Sequence, residues 1–411
     1  MYRCIIYVCS CFTDVPMHKR LRTCHCTEIP VAIVMSDMGR EMKRPTSKFC
    51  FRVFLRCLIV SAFLLLFLYI CKEGQDSQEC NTRIVDPEHV QRAKTFARDV
   101  LQAQCRPAFA RTQMDRLFSS KYTKNLSSFI KKDKSLNESL YKYEPPFGFR
   151  HYVDELSDLL EMMPEDGLPK ELHSKHCKRC IVIGSGGILH GLELGQMVDQ
   201  FDIVIRLNNA PVHGYAQDVG NKTTIRMTYP EGAPVSEQEY QHSSLFVTVL
   251  FKHADFRWLE AVLKNQKLSA WNRFFFWKRV TDKIPLNSSQ FRVLNPLIIK
   301  ETAIDILGFP KPQKRWLGWD KNVPTIGMTA VILATHLCDE VNLAGFGYDL
   351  SQPDASLHYY DNRCMNIMND QPMHDVTKEK KMLRTLVKEG VVRDLSGGIH
   401  CAFCDTQHYT E

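Results

Sequence analysis

The sequence predicts an α/β protein built on a mainly parallel sheet. Two observations carry this. From Cys180 onward, short apolar runs bounded by turn residues alternate with helical stretches, the pattern of strand–helix–strand units. Within that region, "CKRCIVIGSGGILHGLELGQMVDQFDIVIRLN", Cys177 to Asn208, reads as strand, glycine turn, helix, strand. No internal repeat or low-complexity tract interrupts the pattern.

The elements follow in order. "DPEHVQRAKTFARDVLQAQC" predicts a helix capped by Asp86, with Pro87 at its first position and an apolar stripe through Val90, Ala93, Ala97, Val100 and Leu101. Residues 111–145 are polar and read as the end of a stem or a loosely packed region. "HYVDELSDLLEMM" predicts an amphipathic helix through Val153, Leu156, Leu160 and Met163. Strands are expected at 181–183, 202–207, 224–227, 245–251 and 293–299, and a helix at 301–307. A helix over 325–337 leads into a strand at 340–344, and a last helix over 377–388 closes at Gly390. Ligands of parallel sheets sit at the carboxyl ends of the strands. The glycine turn after Ile183, Asn208, and Gly345-Phe346-Gly347 all fall on that edge.

The N-terminal part differs. "CLIVSAFLLLFLYIC", Cys57 to Cys71, carries no charge. Extended back to Val53 it has roughly the length of one bilayer crossing. Lys48, Arg52 and Arg56 precede or enter it, and more basic residues lie upstream, which orients the N-terminus to the cytoplasm and the remainder to the lumen. A cleaved signal peptide would start earlier and end in small residues. The chain of 411 residues therefore divides into a tail over 1–52, a signal-anchor over 53–71, a stem over 72–145 and a lumenal catalytic domain over 146–411. Sequons at Asn125, Asn137, Asn221 and Asn287 all follow the anchor. So do eight of the 16 cysteines, in a compartment that permits disulfides. The net charge of +7 comes without any dense basic block, which argues against nucleic-acid binding.

Absences narrow the chemistry. The glycine turn fails the dinucleotide fingerprint because Leu189 stands at its third glycine. It fails the P-loop because Leu192 replaces the lysine. No D-x-D, H-E-x-x-H or zinc-spaced Cys/His cluster occurs, which argues against a metal-dependent reaction. No G-x-S-x-G occurs, which argues against a serine hydrolase. A leaving phosphate would then need protein donors, and the turn is expected to offer backbone N–H groups at a helix start. Two histidines remain in one polar loop, His358 in "LHYYD" and His374 five residues before Glu379; histidine is the natural general base near neutral pH. The aromatic runs "WNRFFFWKRV" and "RWLGWD" are compatible with core faces, an acceptor lid or a lipid-facing surface.

These residues carry a resemblance. The stretch from Cys177 to about Tyr229 resembles the large motif of animal sialyltransferases. "VPTIGMTAVILATHLCDEVNLAGFGYD" resembles their small motif, "HYYD" the third, and His374 to Glu379 the very small one. All four stand in the family's order. The resemblance implies a Rossmann-like variant GT-A fold and transfer of sialic acid from CMP-sialic acid, with inversion and without a metal cofactor, on the Golgi membrane. "YEPPFGFR" and "GNKTTIRMTYPEGAP" resemble glycolipid-acting members, which implies lactosylceramide as acceptor; β-galactosides of glycoproteins are the alternative. A homodimer is compatible with the sequence.

The resemblance assigns roles residue by residue. His374 is implied as the base for the galactose 3-hydroxyl and His358 as the partner of the departing phosphate, with Tyr359 and Glu379 in support. Ser185, Gly186, Asn208, Thr325, Gly327, Gly345 and Gly347 are implied donor contacts. Ser185 and Ile326 depart from the usual residues of their motifs. Cys180 and Cys338 are implied as a bridged pair, and Cys177 as a stem-side partner of Cys105. Cys401 and Cys404 lie in an unusual terminus and are open to local or interchain pairing. A membrane-anchored nucleotide-sugar-binding protein without catalysis and a dinucleotide-dependent oxidoreductase are the readings from other classes; the paired histidines and the failed fingerprint argue against them.

Overall fold

The computed structural model describes residues 5–11, 24–30, 55–65, 80, 85–131, 138–173, 176–311, 322–370 and 373–404. The chain forms two units, Met1–Ser77 and Gln78–Glu411. In the first, β1 (Ile5–Cys11) pairs antiparallel with β2 (Cys24–Pro30). A helix spans 55–65, and its Leu58, Phe63 and Leu65 are exposed. The remainder of the expected anchor, 53–54 and 66–71, lies outside the described residues, as does the rest of the tail. No helix among the described residues is long and apolar enough to cross a membrane.

The second unit holds seven parallel strands: β3 (Arg179–Ile183), β4 (Ile203–Leu207), β5 (Thr223–Thr228), β6 (Ser243–Thr248), β7 (Phe291–Val293), β8 (Glu340–Ala344) and β9 (Val392–Asp394). Their order is β7-β6-β5-β4-β3-β8-β9. The central strands are buried throughout because helices cover both faces. Cys180 and Val182 of β3 turn to one face, where they join the Ile326–Leu337 helix. Ile181 and Ile183 turn to the other, against Ala93, Ala97 and Val100 of the Pro87–Gln102 helix. That helix begins as expected, with the Asp86 carboxylate accepting from Glu88 N at 3.0 Å. The Ile326–Leu337 helix is apolar almost all round and nearly every residue in it is buried, the signature of a central helix.

The structure corrects several expectations. Residues 111–145 are not loosely packed where described: the Phe109–Phe118 helix buries Ala110 and Met114 in the central core, and Tyr122, Phe129 and Leu140 are buried beyond it. The expected strand at 293–299 is mostly helix. Asn295 caps it by accepting from Leu297 N at 3.0 Å, and Pro296 starts it. It continues as π-helix over Glu301–Ile306. No full helix follows the glycine turn. Only short turns occur, at Gly187–Leu189 and Gly195–Val198, because the Asp218 carboxylate takes the amides of Gly191 and Glu193, each at 2.9 Å.

Disulfides join Cys180 to Cys338 and Cys105 to Cys177, and also Cys80 to Cys364 and Cys401 to Cys404. The first links β3 to the end of the Ile326–Leu337 helix across 158 residues, worth about 5 kcal/mol on the chain-entropy model. The pairing of Cys401 with Cys404 is thus local, and the turn is packed: Phe403 lies 5.4 Å from both His89 and Phe96. Of the sequons, Asn125, Asn221 and Asn287 are exposed; Asn137 lies outside the described residues.

Candidate active site

Strand order reverses at β3. From there β4 to β7 run out one way and β8 and β9 the other. Crevices of open α/β sheets form at such a reversal. A cleft of about 730 Å³ opens there. Its wall includes Ser185 after β3, Asn208 after β4, and Gly345 and Gly347 after β8. Thr325, Gly327, His358, His374 and Glu379 complete the set. Two other expected contacts are not on the wall. Gly186 donates its N–H to Gly345 O at 2.9 Å. Tyr359 is buried and its hydroxyl donates to Pro211 O at 2.5 Å.

The glycine turn works differently from the expected phosphate cradle. The N–H groups of Gly184, Gly186 and Gly187 donate to Ala344 O, Gly345 O and Leu357 O at 2.8–3.0 Å. The turn is thus a backbone clamp across the strand reversal. A Cβ on Gly186 would sit 2.7 Å from Gly345 O, and Gly345 itself has φ +76°, a conformation that favours glycine. Gly184 and Ser185 are the members of the turn that reach the cleft; the Ser185 carbonyl accepts from Tyr359 N at 3.1 Å, and Ser185 hydrogen-bonds Tyr360.

The two histidines are held in opposite ways. The Nδ1 of His358 donates to Asp361 Oδ2 at 2.9 Å, and its ring stacks on Tyr360 with centroids 5.1 Å apart and planes parallel. The carboxylate accepts from a neutral or a protonated ring alike, so it fixes orientation and favours any charge that develops. The Nδ1 of His374 lies 2.8 Å from Val323 O. A carbonyl only accepts, so Nδ1 carries the proton and Nε2 is left with a free lone pair. Burial pushes the His374 pKa below the ordinary 6.5, and the Val323 bond opposes this only in part. His374 is therefore kept neutral and poised to accept a proton.

Behind His374, Glu379 is almost fully buried and ties two motifs together. Its Oε1 accepts from Thr325 N at 2.7 Å, and its Oε2 accepts from the Thr325 hydroxyl. Thr325 Oγ1 in turn caps the Ile326–Leu337 helix by accepting from Met328 N at 3.1 Å. Burial pushes the Glu379 pKa up to about 7, with the Thr325 bonds resisting. Asn208 has φ +49°, which asparagine tolerates better than most residues. Its Oδ1 accepts from Thr228 Oγ1 at 3.2 Å, which leaves the amide N–H₂ as donor to the cleft.

Sequence reading assigned no role to several wall residues. Asp361 and Tyr360 sit in the same short run as His358, and their types were the available signal. Tyr229 and Glu231 fall in the "GNKTTIRMTYPEGAP" stretch without an assigned role, and Lys252 gave no signal. Glu231 and Lys252 pair at 2.7 Å, with Glu231 buried. Trp277 of the first aromatic run lines the cleft and is 75% exposed. The second run falls within 312–321, outside the described residues.

Comparison with known proteins follows the geometry. The model of glycosyltransferase family 29 (sialyltransferase) matches residues 129–391. The chain is 57% identical over 365 residues to lactosylceramide alpha-2,3-sialyltransferase of Pan troglodytes, covering 88% of this chain and all of that one. It is 56% identical over 366 residues to the Homo sapiens protein of the same name, covering 88% and 87%. It is 40% identical to CMP-N-acetylneuraminate-beta-1,4-galactoside alpha-2,3-sialyltransferase of Mus musculus, over 72% of this chain and 78% of that one. A crystal structure of a mammalian sialyltransferase in complex with Gal-beta-1-3GalNAc-ortho-nitrophenol shares the fold, with a TM-score of 0.53 at 24% identity, covering 71% of this chain and 98% of that one. The fold is shared with a solved sialyltransferase, and the matching family is one of glycosyltransferases. The chain belongs to glycosyltransferase family 29, the sialyltransferases.

Proposed function

We propose that the chain transfers sialic acid from CMP-sialic acid to the 3-hydroxyl of the terminal galactose of lactosylceramide, forming the monosialo-ganglioside. The names of the relatives at 56–57% identity support the acceptor. The observation that carries the mechanism is the contrast between the two histidines. His374, neutral and with Nε2 free, takes the proton of the galactose hydroxyl as that oxygen attacks the anomeric carbon. The bond from that carbon to the phosphate oxygen breaks, and CMP departs with the electron pair. His358, held by Asp361, faces the phosphate and offsets its developing charge. Base on one side and leaving group on the other give inversion. Ser185, Asn208, Thr325 and Gly327 hold the donor, and no metal takes part, in keeping with the absence of a D-x-D motif.

The uncharged stretch from Cys57 to Cys71 behind a basic flank, with the exposed apolar surface of helix 55–65, supports a type II anchor in the Golgi membrane with the catalytic unit in the lumen. The decisive test is incubation of the full chain with CMP-sialic acid and lactosylceramide in EDTA. Sialylated lactosylceramide is expected; loss of product in EDTA would overturn the metal-free reading. The relative that acts on a beta-1,4-galactoside favours a second reading, transfer to glycoprotein galactosides. Product on asialo-glycoprotein but none on lactosylceramide would establish it.

A further inference from the structure

The unit from Gln78 to Glu411 exposes eight large apolar side chains among its described residues, and six of them gather around one opening. Ile367 and Met373 line the cleft and are each 38% exposed. Phe275 and Trp277 line it too, and are 50% and 75% exposed. Trp271 and Phe274 are 73% and 81% exposed, and they are not on the cleft wall. A sugar in the cleft therefore leaves them in water. Trp271 and Phe274 each set an edge against Phe275, with centroids 5.7 and 6.2 Å apart, so they form one patch with the rim.

The local structure fixes this display. Ser269 caps the short Ala270–Arg273 turn by accepting from Asn272 N at 3.2 Å. Arg273 is clamped to Asp282. Phe276 alone turns inward, into the core that holds Trp258 and Val280. Its neighbours are thereby pushed outward. Lys278 and Arg279 follow immediately and are exposed. Exposed tryptophan and phenylalanine beside basic residues is the composition of a membrane–water interface element. An apolar patch of this kind on a folded unit marks a contact surface.

We infer that the Trp271–Arg279 segment docks the catalytic cleft onto the lipid bilayer that carries the acceptor. The inference rests on the lactosylceramide reading above. Continuity with the cleft selects a bilayer as the occupant: a membrane seated on Trp271 and Phe274 lies at the rim, where a galactose projecting from a lipid enters. Lys278 and Arg279 then meet the phosphate layer while the aromatic rings sit at headgroup depth.

The test compares two acceptors with the full chain: lactosylceramide in phosphatidylcholine vesicles, and soluble methyl β-lactoside. The double variant Trp271→Ser, Phe274→Ser is expected to lose about tenfold in kcat/KM on the vesicle acceptor, the scale of losing one large buried side chain, and nothing on the soluble one. The variant Trp271→Phe, Phe274→Trp keeps the apolar surface and should match wild type on both. Equal loss on both acceptors, or loss on neither, overturns the inference. If wild type sialylates neither acceptor, the functional reading fails instead, and a second readout still judges the patch. All five tryptophans lie beyond residue 250, so quenching of tryptophan fluorescence by brominated phosphatidylcholine reports on the catalytic unit. Quenching that Trp271→Phe reduces is expected; no quenching in wild type overturns the docking surface.

Discussion

The strand-end clamp and the histidine loop meet beside one cleft, where Gly187 N donates to Leu357 O and Tyr359 N to Ser185 O, and they are built on opposite principles. In the clamp, Gly184, Gly186 and Gly187 have their amides tied to Ala344, Gly345 and Leu357, and side chains are almost absent. In the loop, His358 and His374 each commit one ring nitrogen to a fixed acceptor and keep the other free. The clamp supplies rigidity, and the loop holds the side chains to which the proposed function gives the chemistry. The same division recurs within the loop. Asp361 gives His358 a charged partner, whereas His374 has only the neutral carbonyl of Val323 in a buried setting. Two identical side chains are thereby given different settings, which suits the separate roles proposed for them, base and partner of the leaving phosphate.

The largest expected effect comes from breaking the loop's proposed base. His374→Ala should cut kcat by about 10²- to 10⁴-fold while CMP binding, measured by calorimetry, stays near wild type. Asp361→Asn keeps the shape but removes the charge that holds His358. A hydrogen bond to a charged group is worth about 1.5–3 kcal/mol, so kcat should fall by roughly ten- to a hundredfold, towards the lower end because the carboxylate is partly exposed. Asn208→Ala touches the clamp side. It removes one neutral hydrogen bond to the donor, about 0.5–1.5 kcal/mol, and should raise KM for CMP-sialic acid about two- to tenfold with little change in acceptor KM. The smallest effect is on stability. Glu379 holds its proton in the fold up to about pH 7, against an ordinary 4.5. Its contribution therefore favours the folded state fully below about pH 4.5 and fades as pH rises through about 7. Glu379→Gln should flatten that part of the stability–pH curve in denaturant titrations. His374 works in the other sense, since its lowered pKa gives a contribution present above pH 6.5 and lost as pH falls.

The parts that were legible in the sequence share a cause. β3, β4, β5 and β8 show as apolar runs with turn residues at their ends, because both faces are covered. Asp86 and Pro87 announce a helix start locally. Both histidines sit in short polar motifs near the last strands. What stayed hidden depends on distant partners. Val323 lies 51 residues from His374 and offers only a backbone carbonyl. Gly184 and Gly186 look free in one dimension, yet their amides are spent on residues more than 150 positions away. The few apolar anchors of the polar stretch after 111, Met114, Tyr122 and Phe129, are too sparse for a periodic signal, yet they are buried. Pro296, which begins a helix, was hidden inside an apolar run that reads as strand.

The claim at the centre is that His374 acts as a base kept neutral by burial. The most direct measurement is kcat of the full chain against pH, with both substrates saturating, for wild type and for His374→Ala. The account predicts that the wild-type acid limb has its midpoint below pH 6.5 and that this limb is absent from the residual activity of His374→Ala. An acid limb with its midpoint at or above pH 6.5, or one that survives in His374→Ala with substantial turnover, would contradict it.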